Sequence, residues 1–129
     1  MSILKAFELV DSGRAKPFIT LRESSITFSK GAVQFLNYPE YVHMYIDHKG
    51  RRVAFKACED DDAAFVFYRK PKEGRSMLVR ISGKGYANKV IDLAGVEVGK
   101  KGLRYYGQFV EDEGILVFDM SQESQAEED

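Results

Sequence analysis

The fold is decided by residues 26–57, ITFSKGAVQFLNYPEYVHMYIDHKGRRVAFKA, in which the spacing of apolar side chains changes from that of a strand to that of a helix and back. A short alternating strand at 26–28 leads to Ser29, whose hydroxyl can accept a hydrogen bond from a free amide of a first helical turn. The helix is predicted over residues 30–37. It ends before Pro39, because proline lacks the backbone donor and restricts the residue that precedes it.

A β-hairpin is predicted immediately after this helix. Residues 41–47 place apolar side chains at every second position, which is the period of a half-buried strand. Residues 48–50 have the composition of a turn, and the apolar alternation continues over residues 53–57. This is the clearest hairpin in the chain.

The same plan is found twice, because residues 17–57 and 63–120 both have the pattern strand, turn, strand, short helix, strand, turn, strand. The second copy has strands at 63–69, 77–81, 103–110 and 115–120, and Ser82 and Gly83 open its helix. Two tandem ββαββ units are therefore predicted, in a fold that is mainly β with two short helices. A separate unit of about 60 residues would be marginally stable, so we expect one compact domain over residues 1–120 with a shared core.

The charge distribution separates the last nine residues from the rest. Residues 121–129 contain four carboxylates and no basic residue, which is typical of a disordered acidic tail. Removing those four charges from the net charge of −1 leaves +3 for residues 1–120. The tail either keeps the protein soluble or competes with an anionic ligand for basic loops.

Targeting features also bear on the class of protein. No apolar run approaches 18 residues, so a transmembrane helix is excluded, and residues 1–10 lack the pattern of a signal peptide. The single cysteine, Cys58, is compatible with a reducing compartment. We expect a cytoplasmic protein with no membrane partner.

Motifs for catalysis or cofactor binding are weak. Residues 83–85 and 99–101 lack the glycine and hydroxyl spacing of a phosphate-binding loop. His43, His48 and Cys58 are too few and too scattered for a metal site. The sequence therefore predicts a protein that is not an enzyme, with no cofactor, no metal and no small-molecule substrate.

Basic residues form the remaining group of side chains that could bind a ligand. They flank the first strand pair and helix of each unit, and in a ββαββ unit these loops and helix starts are expected to project from one end. They would then form one surface that can meet phosphates. The alternative is an ordinary solvated surface, since 30% of the residues are charged.

Residues 26–38, 41–47 and 53–56 resemble the AbrB-like swapped-hairpin family, and the tandem arrangement is similar to its MraZ group. The resemblance covers residues 17–57 well and 63–120 loosely. It implies a pseudo-two-fold, interleaved swapped-hairpin barrel that binds DNA through basic residues of the first hairpin and helix start of each unit. Carried over by position, the predicted nucleic-acid-binding residues are Arg14, Lys16, Arg22, Lys30, Arg69, Lys72, Arg75, Arg80 and Lys84.

Two functions follow from these observations. The first is a small DNA-binding regulator of transcription that contacts phosphates through its basic loops. The second is a protein-interaction or self-assembly module without nucleic-acid binding, such as a homodimer, that uses exposed tyrosines. Those tyrosines are Tyr41, Tyr45, Tyr105 and Tyr106, and the alternative is that they only cover the barrel.

Overall fold

The chain folds into a mainly β structure with two short helices, as predicted. The computed structural model describes residues 6–7, 16–70, 79–99, 102–122 and 125–126. The strands are β1 (Phe18–Leu21), β2 (Ser25–Phe28), β3 (Tyr41–Asp47), β4 (Arg52–Cys58), β5 (Phe65–Val66), β6 (Val79–Ser82), β7 (Leu103–Val110), β8 (Ile115–Asp119) and β9 (Gln125–Ala126). The helices are α1 (Lys30–Phe35) and α2 (Lys84–Ala94).

Eight strands form a nearly closed antiparallel barrel in the order β5-β3-β4-β8-β7-β1-β2-β6. Strand β7 belongs to both walls of this barrel. Its first half, from Leu103 to Tyr106, pairs with β1, and its second half, from Gly107 to Val110, pairs with β8. Strands β5 and β6 lie at the two ends of the order, and no ladder joins them within the described ranges.

Gly107 lies where β7 passes from one wall to the other. A Cβ atom at this position would come within 2.5 Å of the Phe118 ring, which is fully buried. The amide of Gly107 donates to the carbonyl of Pro17 at 2.9 Å. A side chain larger than that of glycine would therefore overlap the core at this position.

The interior of the barrel is filled by apolar side chains from both walls and both helices. Phe28 packs edge-on against Phe55 and Phe67, with ring centroids 4.8 Å apart in each pair. Val33 of α1 and Val90 of α2 are fully buried, so each helix contributes its apolar stripe to the same core. Burial of this continuous apolar surface is the main stabilising contribution to the fold.

The predicted boundaries differ from the observed ones in three places. Ser29 caps α1 as predicted, because its Oγ accepts from the amide of Ala32 at 3.1 Å. Ser82 does not cap α2: it pairs with Ser25 as the last residue of β6, and the N-cap is Gly83, with φ at 142°. Helix α1 ends at Phe35 instead of residue 37, and β5 spans two residues of the predicted 63–69.

The C-terminal segment contacts β7, where Gln122 Nε2 donates to the carbonyl of Tyr106 at 2.9 Å. Strand β9 pairs with β7, where Ala126 lies opposite Leu103 and Gln125 opposite Arg104. Disorder of residues 121–129 otherwise stays a prediction, because most of that segment lies outside the described residues. Neither described helix has the length and apolar character needed to cross a bilayer.

We predict that Gly107→Ala destabilises the protein by about 1–3 kcal/mol, because the new methyl group overlaps a ring that has no room to move. Urea unfolding measures the change. Gly85→Ala is the matched control: it lies in α2 with nothing within 4 Å of the added Cβ, so it should stabilise the fold by up to about 1 kcal/mol. Equal stability of Gly107→Ala and the wild-type protein would contradict the close approach.

Candidate nucleic-acid interface

Four neighbouring strands present basic and hydroxyl side chains on the outside of one wall. In the cross-strand register, Arg104 of β7 lies opposite Thr20 of β1, Thr20 opposite Thr27 of β2, and Thr27 opposite Arg80 of β6. Residues on either side of these four in each strand are directed to the core, as the two-residue period of a strand requires. The four side chains therefore form one row across the outer face.

A second row lies beside the first. Arg22 follows β1, and its Nη1 donates to the Thr27 hydroxyl at 3.3 Å, which places its guanidinium group over the same face. Ser25 and Ser82 lie opposite each other in the ladder between β2 and β6. We call this surface the arginine face and define it as Thr20, Arg22, Ser25, Thr27, Arg80, Ser82 and Arg104.

The four strands of the arginine face contain no aspartate or glutamate, and Glu23 is exposed in the turn that follows Arg22. Thr20, at its centre, is only 3% exposed, so a ligand cannot contact that hydroxyl directly. Arg80 is exposed, and Arg22 and Arg104 are half-buried. The accessible part of the surface is therefore formed mainly by guanidinium groups.

Arg104 has the most unusual environment of the three arginines. Its guanidinium carbon lies 4.0 Å from the centroid of the Phe18 ring, within the range of a cation–π interaction. Its Nε is buried and has no hydrogen-bond partner among the described residues. Phe18 in turn packs edge-on against Tyr106, with ring centroids 5.6 Å apart.

The outer face of β3 and β4 is different, because two of its basic side chains contact carboxylates. His43 Nε2 lies 2.8 Å from Asp61 Oδ2, and Arg52 Nη2 lies 2.8 Å from Asp47 Oδ2. The hydrogen bond from His43 is the main reason that the pKa of Asp61 lies below its ordinary value. The amide of Gly50, followed by Arg52, lowers the pKa of Asp47 in the same way. Both of these carboxylates therefore have a basic partner on this wall.

The structure brings two of the predicted site residues together and separates others. Arg22 and Arg80 both belong to the arginine face. Lys16 and Lys30 are exposed at the open end of the β1–β2 hairpin, whereas Arg22 is at its closed end. The expectation that these groups project from one end is therefore wrong for Lys16 and Lys30. Arg69 lies on the other wall, 5.9 Å from the Tyr41 ring centroid.

The remaining predicted residues cannot be placed on a surface. Lys84 is the first residue of α2. Arg14, Lys72 and Arg75 lie outside the described residues. Their contacts with nucleic acid stay predictions.

Sequence reasoning missed Arg104 and misplaced Tyr105. Tyr105 was expected to be exposed, but it is 1% exposed and belongs to the core. Adjacent residues of a strand point to opposite faces, so the sequence Leu103–Arg104–Tyr105–Tyr106 could have placed Arg104 and Tyr106 outside once Tyr105 was assigned to the core.

Three clefts lie among the described residues. The first, about 450 Å³, has Glu111 as its one titratable group among the described lining residues. In the second, about 340 Å³, the guanidinium group of Arg51 donates to the carbonyls of Leu93 and Ala94 and so caps the end of α2. In the third, about 260 Å³, Asp47 is bound to Arg52.

Cys58 and the acidic residues do not form a reactive centre in the described part of the chain. Partial burial, together with Asp61 and Asp60, raises the pKa of the Cys58 thiol and disfavours the nucleophilic thiolate. No group of three His, Cys, Asp or Glu among the described residues could hold a metal ion. The sequence-based expectations about catalysis and cofactors stay predictions.

Comparison with protein-family models, curated proteins and solved structures finds no match to the chain. The geometry and charge of the arginine face are therefore the basis for assigning a function.

We predict that the hydrogen bond between His43 and Asp61 makes stability depend on pH in the acidic range. Because the pKa of Asp61 is lowered in the folded state, its contribution is present above the unfolded pKa of about 3.9 and is lost as pH falls through the folded value. Asp61→Asn should therefore destabilise the protein at neutral pH, and the difference from wild type should shrink at about pH 3.

Urea unfolding at both pH values measures this dependence. Asparagine retains an oxygen that can accept from the amide of Ala63, as Asp61 does at 2.9 Å, so the local turn is preserved. Asp60→Asn is the control, since it removes the same charge one residue away from the pair. A difference between wild type and Asp61→Asn that stays constant with pH would contradict the linkage.

Proposed function

We propose that the protein is a non-enzymatic nucleic-acid-binding protein whose arginine face contacts phosphates. The observation that carries this proposal is the guanidinium group of Arg104, which lies over the Phe18 ring in one row with Arg80 and beside Arg22. Arginine suits this role because its planar fork of donors matches phosphate oxygens. A role in transcription, as the resemblance implies, is part of the proposal.

The charge pattern supports phosphate as the ligand group. Arg104 and Arg80 lie on strands that have no carboxylate, whereas His43 and Arg52 on the other wall are paired with aspartates. A phosphate backbone supplies several negative charges along one line, so one strand of nucleic acid can neutralise several arginines together. The net charge of −1 does not oppose this, because four carboxylates lie in the last nine residues.

We further propose that the barrel is a pseudo-two-fold product of two ββαββ units, as in the AbrB-like swapped-hairpin family. If each of the strands β1–β4 is exchanged with the strand four places later in the chain, every neighbouring pair in the sheet order becomes another neighbouring pair. The exception is β1–β2, because its counterparts β5 and β6 lie at the open end of the barrel. Arg51 and Gly114, the last residues of corresponding hairpin turns, have φ values of 55° and 66°. Strand β1 of the first unit pairs with β7 of the second, which fits an interleaved arrangement.

The test is the salt dependence of binding. Fluorescence anisotropy with labelled duplexes and single strands, between about 50 and 200 mM salt, should show affinity that falls steeply as salt rises. Arg104→Gln and Arg80→Gln should each weaken binding and lower the slope of log K against log salt by about 0.7–0.9, because each removes one phosphate contact.

Lys56→Gln is the control for these variants. It removes one positive charge from an exposed position on β4, opposite His43 and away from the arginine face. Its slope should match that of the wild-type protein. If no nucleic acid binds at low salt, or if Lys56→Gln lowers the slope as much as Arg104→Gln does, the arginine face is not the interface.

Self-assembly is the alternative function, and one observation favours it. Tyr45 on the outer face of β3 is 51% exposed, which is large for an aromatic side chain without a role at the surface. Light scattering of the same preparation distinguishes the two functions. A lasting dimer that has no affinity for nucleic acid would support self-assembly.

A further inference from the structure

We infer that the ligand of the arginine face is single-stranded nucleic acid, DNA or RNA, with bases stacked against Tyr106 and the Arg104–Phe18 pair. This inference rests on the proposed function and narrows its ligand. Three features carry it: the width of the face, the aromatic side chains within it, and the hydroxyl groups beside them.

The width of the face argues against a duplex groove. Strands β7, β1, β2 and β6 are consecutive neighbours in the sheet. At a spacing of about 4.8 Å, the backbones of the outer two lie about 14 Å apart before their side chains are counted. The major groove of B-DNA is about 12 Å wide and admits a helix or a two-stranded ribbon. A four-stranded face therefore cannot enter it to read base edges.

Aromatic rings adjoin the cations on this face. Phe18 and Tyr106 lie opposite each other in the β1–β7 ladder, and both are half-buried, so part of each ring remains on the surface. The Arg104 guanidinium group lies over Phe18 at 4.0 Å. Bases of single strands stack on aromatic rings and on arginine guanidinium planes, whereas bases within a duplex are already stacked on each other. The bases of a single strand can therefore stack on this patch, whereas the bases of a duplex do not.

Polar groups for base edges are also present. The hydroxyls of Thr27 and Ser82 lie on the same face, at a half-buried and an exposed position. Hydroxyls can donate and accept, so they suit the exposed edges of unpaired bases without selecting one base. A positive groove combined with stacking side chains is the arrangement by which sheet surfaces bind single strands with little sequence preference.

The experiment compares ligands and then removes one ring. Labelled oligo(dT), oligo(U) and a duplex, each of about 12 nucleotides, are titrated by anisotropy against the full chain. Both single strands should bind more tightly than the duplex. Tyr106→Leu, which keeps an apolar side chain in the strand, should weaken single-strand binding by about 5- to 100-fold without changing the salt slope, because it removes stacking and no charge.

Two matched variants separate stacking from a structural effect. Tyr106→Phe keeps the ring and should lose less affinity than Tyr106→Leu. Tyr45→Leu removes a more exposed tyrosine from the other wall and should leave binding unchanged. If Tyr106→Leu does not fold, ultraviolet cross-linking of the wild-type protein to oligo(dT) replaces it, and the cross-linked peptide should contain Phe18 or Tyr106.

The outcomes distinguish this inference from the proposed function. A duplex bound as tightly as single strands, with affinity that depends on Arg104, would overturn the inference and leave the nucleic-acid interface in place. Unchanged single-strand affinity in Tyr106→Leu, or a cross-link confined to the β3–β4 wall, would also overturn it. Absence of binding to all three ligands at low salt would overturn both proposals.

Discussion

Strand β7 is shared by both walls of the barrel, and the core and the arginine face both depend on this sharing. Its first half pairs with β1 and its second half with β8, so one continuous strand holds two ladders. The two-residue period directs Tyr105 into the core and Arg104 and Tyr106 outward. Gly107 permits the change of partner because it leaves room for the buried ring of Phe118. The strand that closes the barrel thus also supplies a cation and a half-buried ring of the proposed interface.

The contacts of three arginines show that these residues have different roles. Arg51 donates to the carbonyls of Leu93 and Ala94 and so satisfies the end of α2, where the helix dipole is negative. Arg52 is paired with Asp47 at the turn between β3 and β4. Arg104 has a ring below it and a buried Nε that lacks a partner in the described structure. The first two stabilise local structure, and the third has hydrogen-bonding capacity that the described fold does not use.

The parts of the fold that could be predicted from sequence are those that local chemistry determines. The β3–β4 hairpin follows from the alternation of residues 41–57, and the cap at Ser29 follows from a hydroxyl before a helical pattern. Pairing of β1 with β7 could not be predicted from residues alone, because it joins segments about 85 residues apart and depends on how the barrel closes. For the same reason Ser82 was misassigned, since its pairing with Ser25 extends β6 and excludes it from the helix start.

The site was predictable only in part, because a face exists only once strands are paired. Arg22 and Arg80 were identified as basic residues near turns, but their common surface arises from the β2–β6 ladder, which sequence could not supply. Arg104 has no local signature at all. Its position becomes significant when Thr20, Thr27 and Arg80 are placed in the same row.

Stability alone does not account for the composition of that row. A buried donor without a partner costs about 1–3 kcal/mol, and like charges on neighbouring strands repel. The other wall shows that this chain can place a carboxylate beside a cation, as in Arg52–Asp47 and His43–Asp61. Arg104 and Arg80 lie on four strands that contain no carboxylate, so these strands themselves do not neutralise the two cations. The anionic ligand proposed above would do so, because phosphate oxygens accept hydrogen bonds from guanidinium groups.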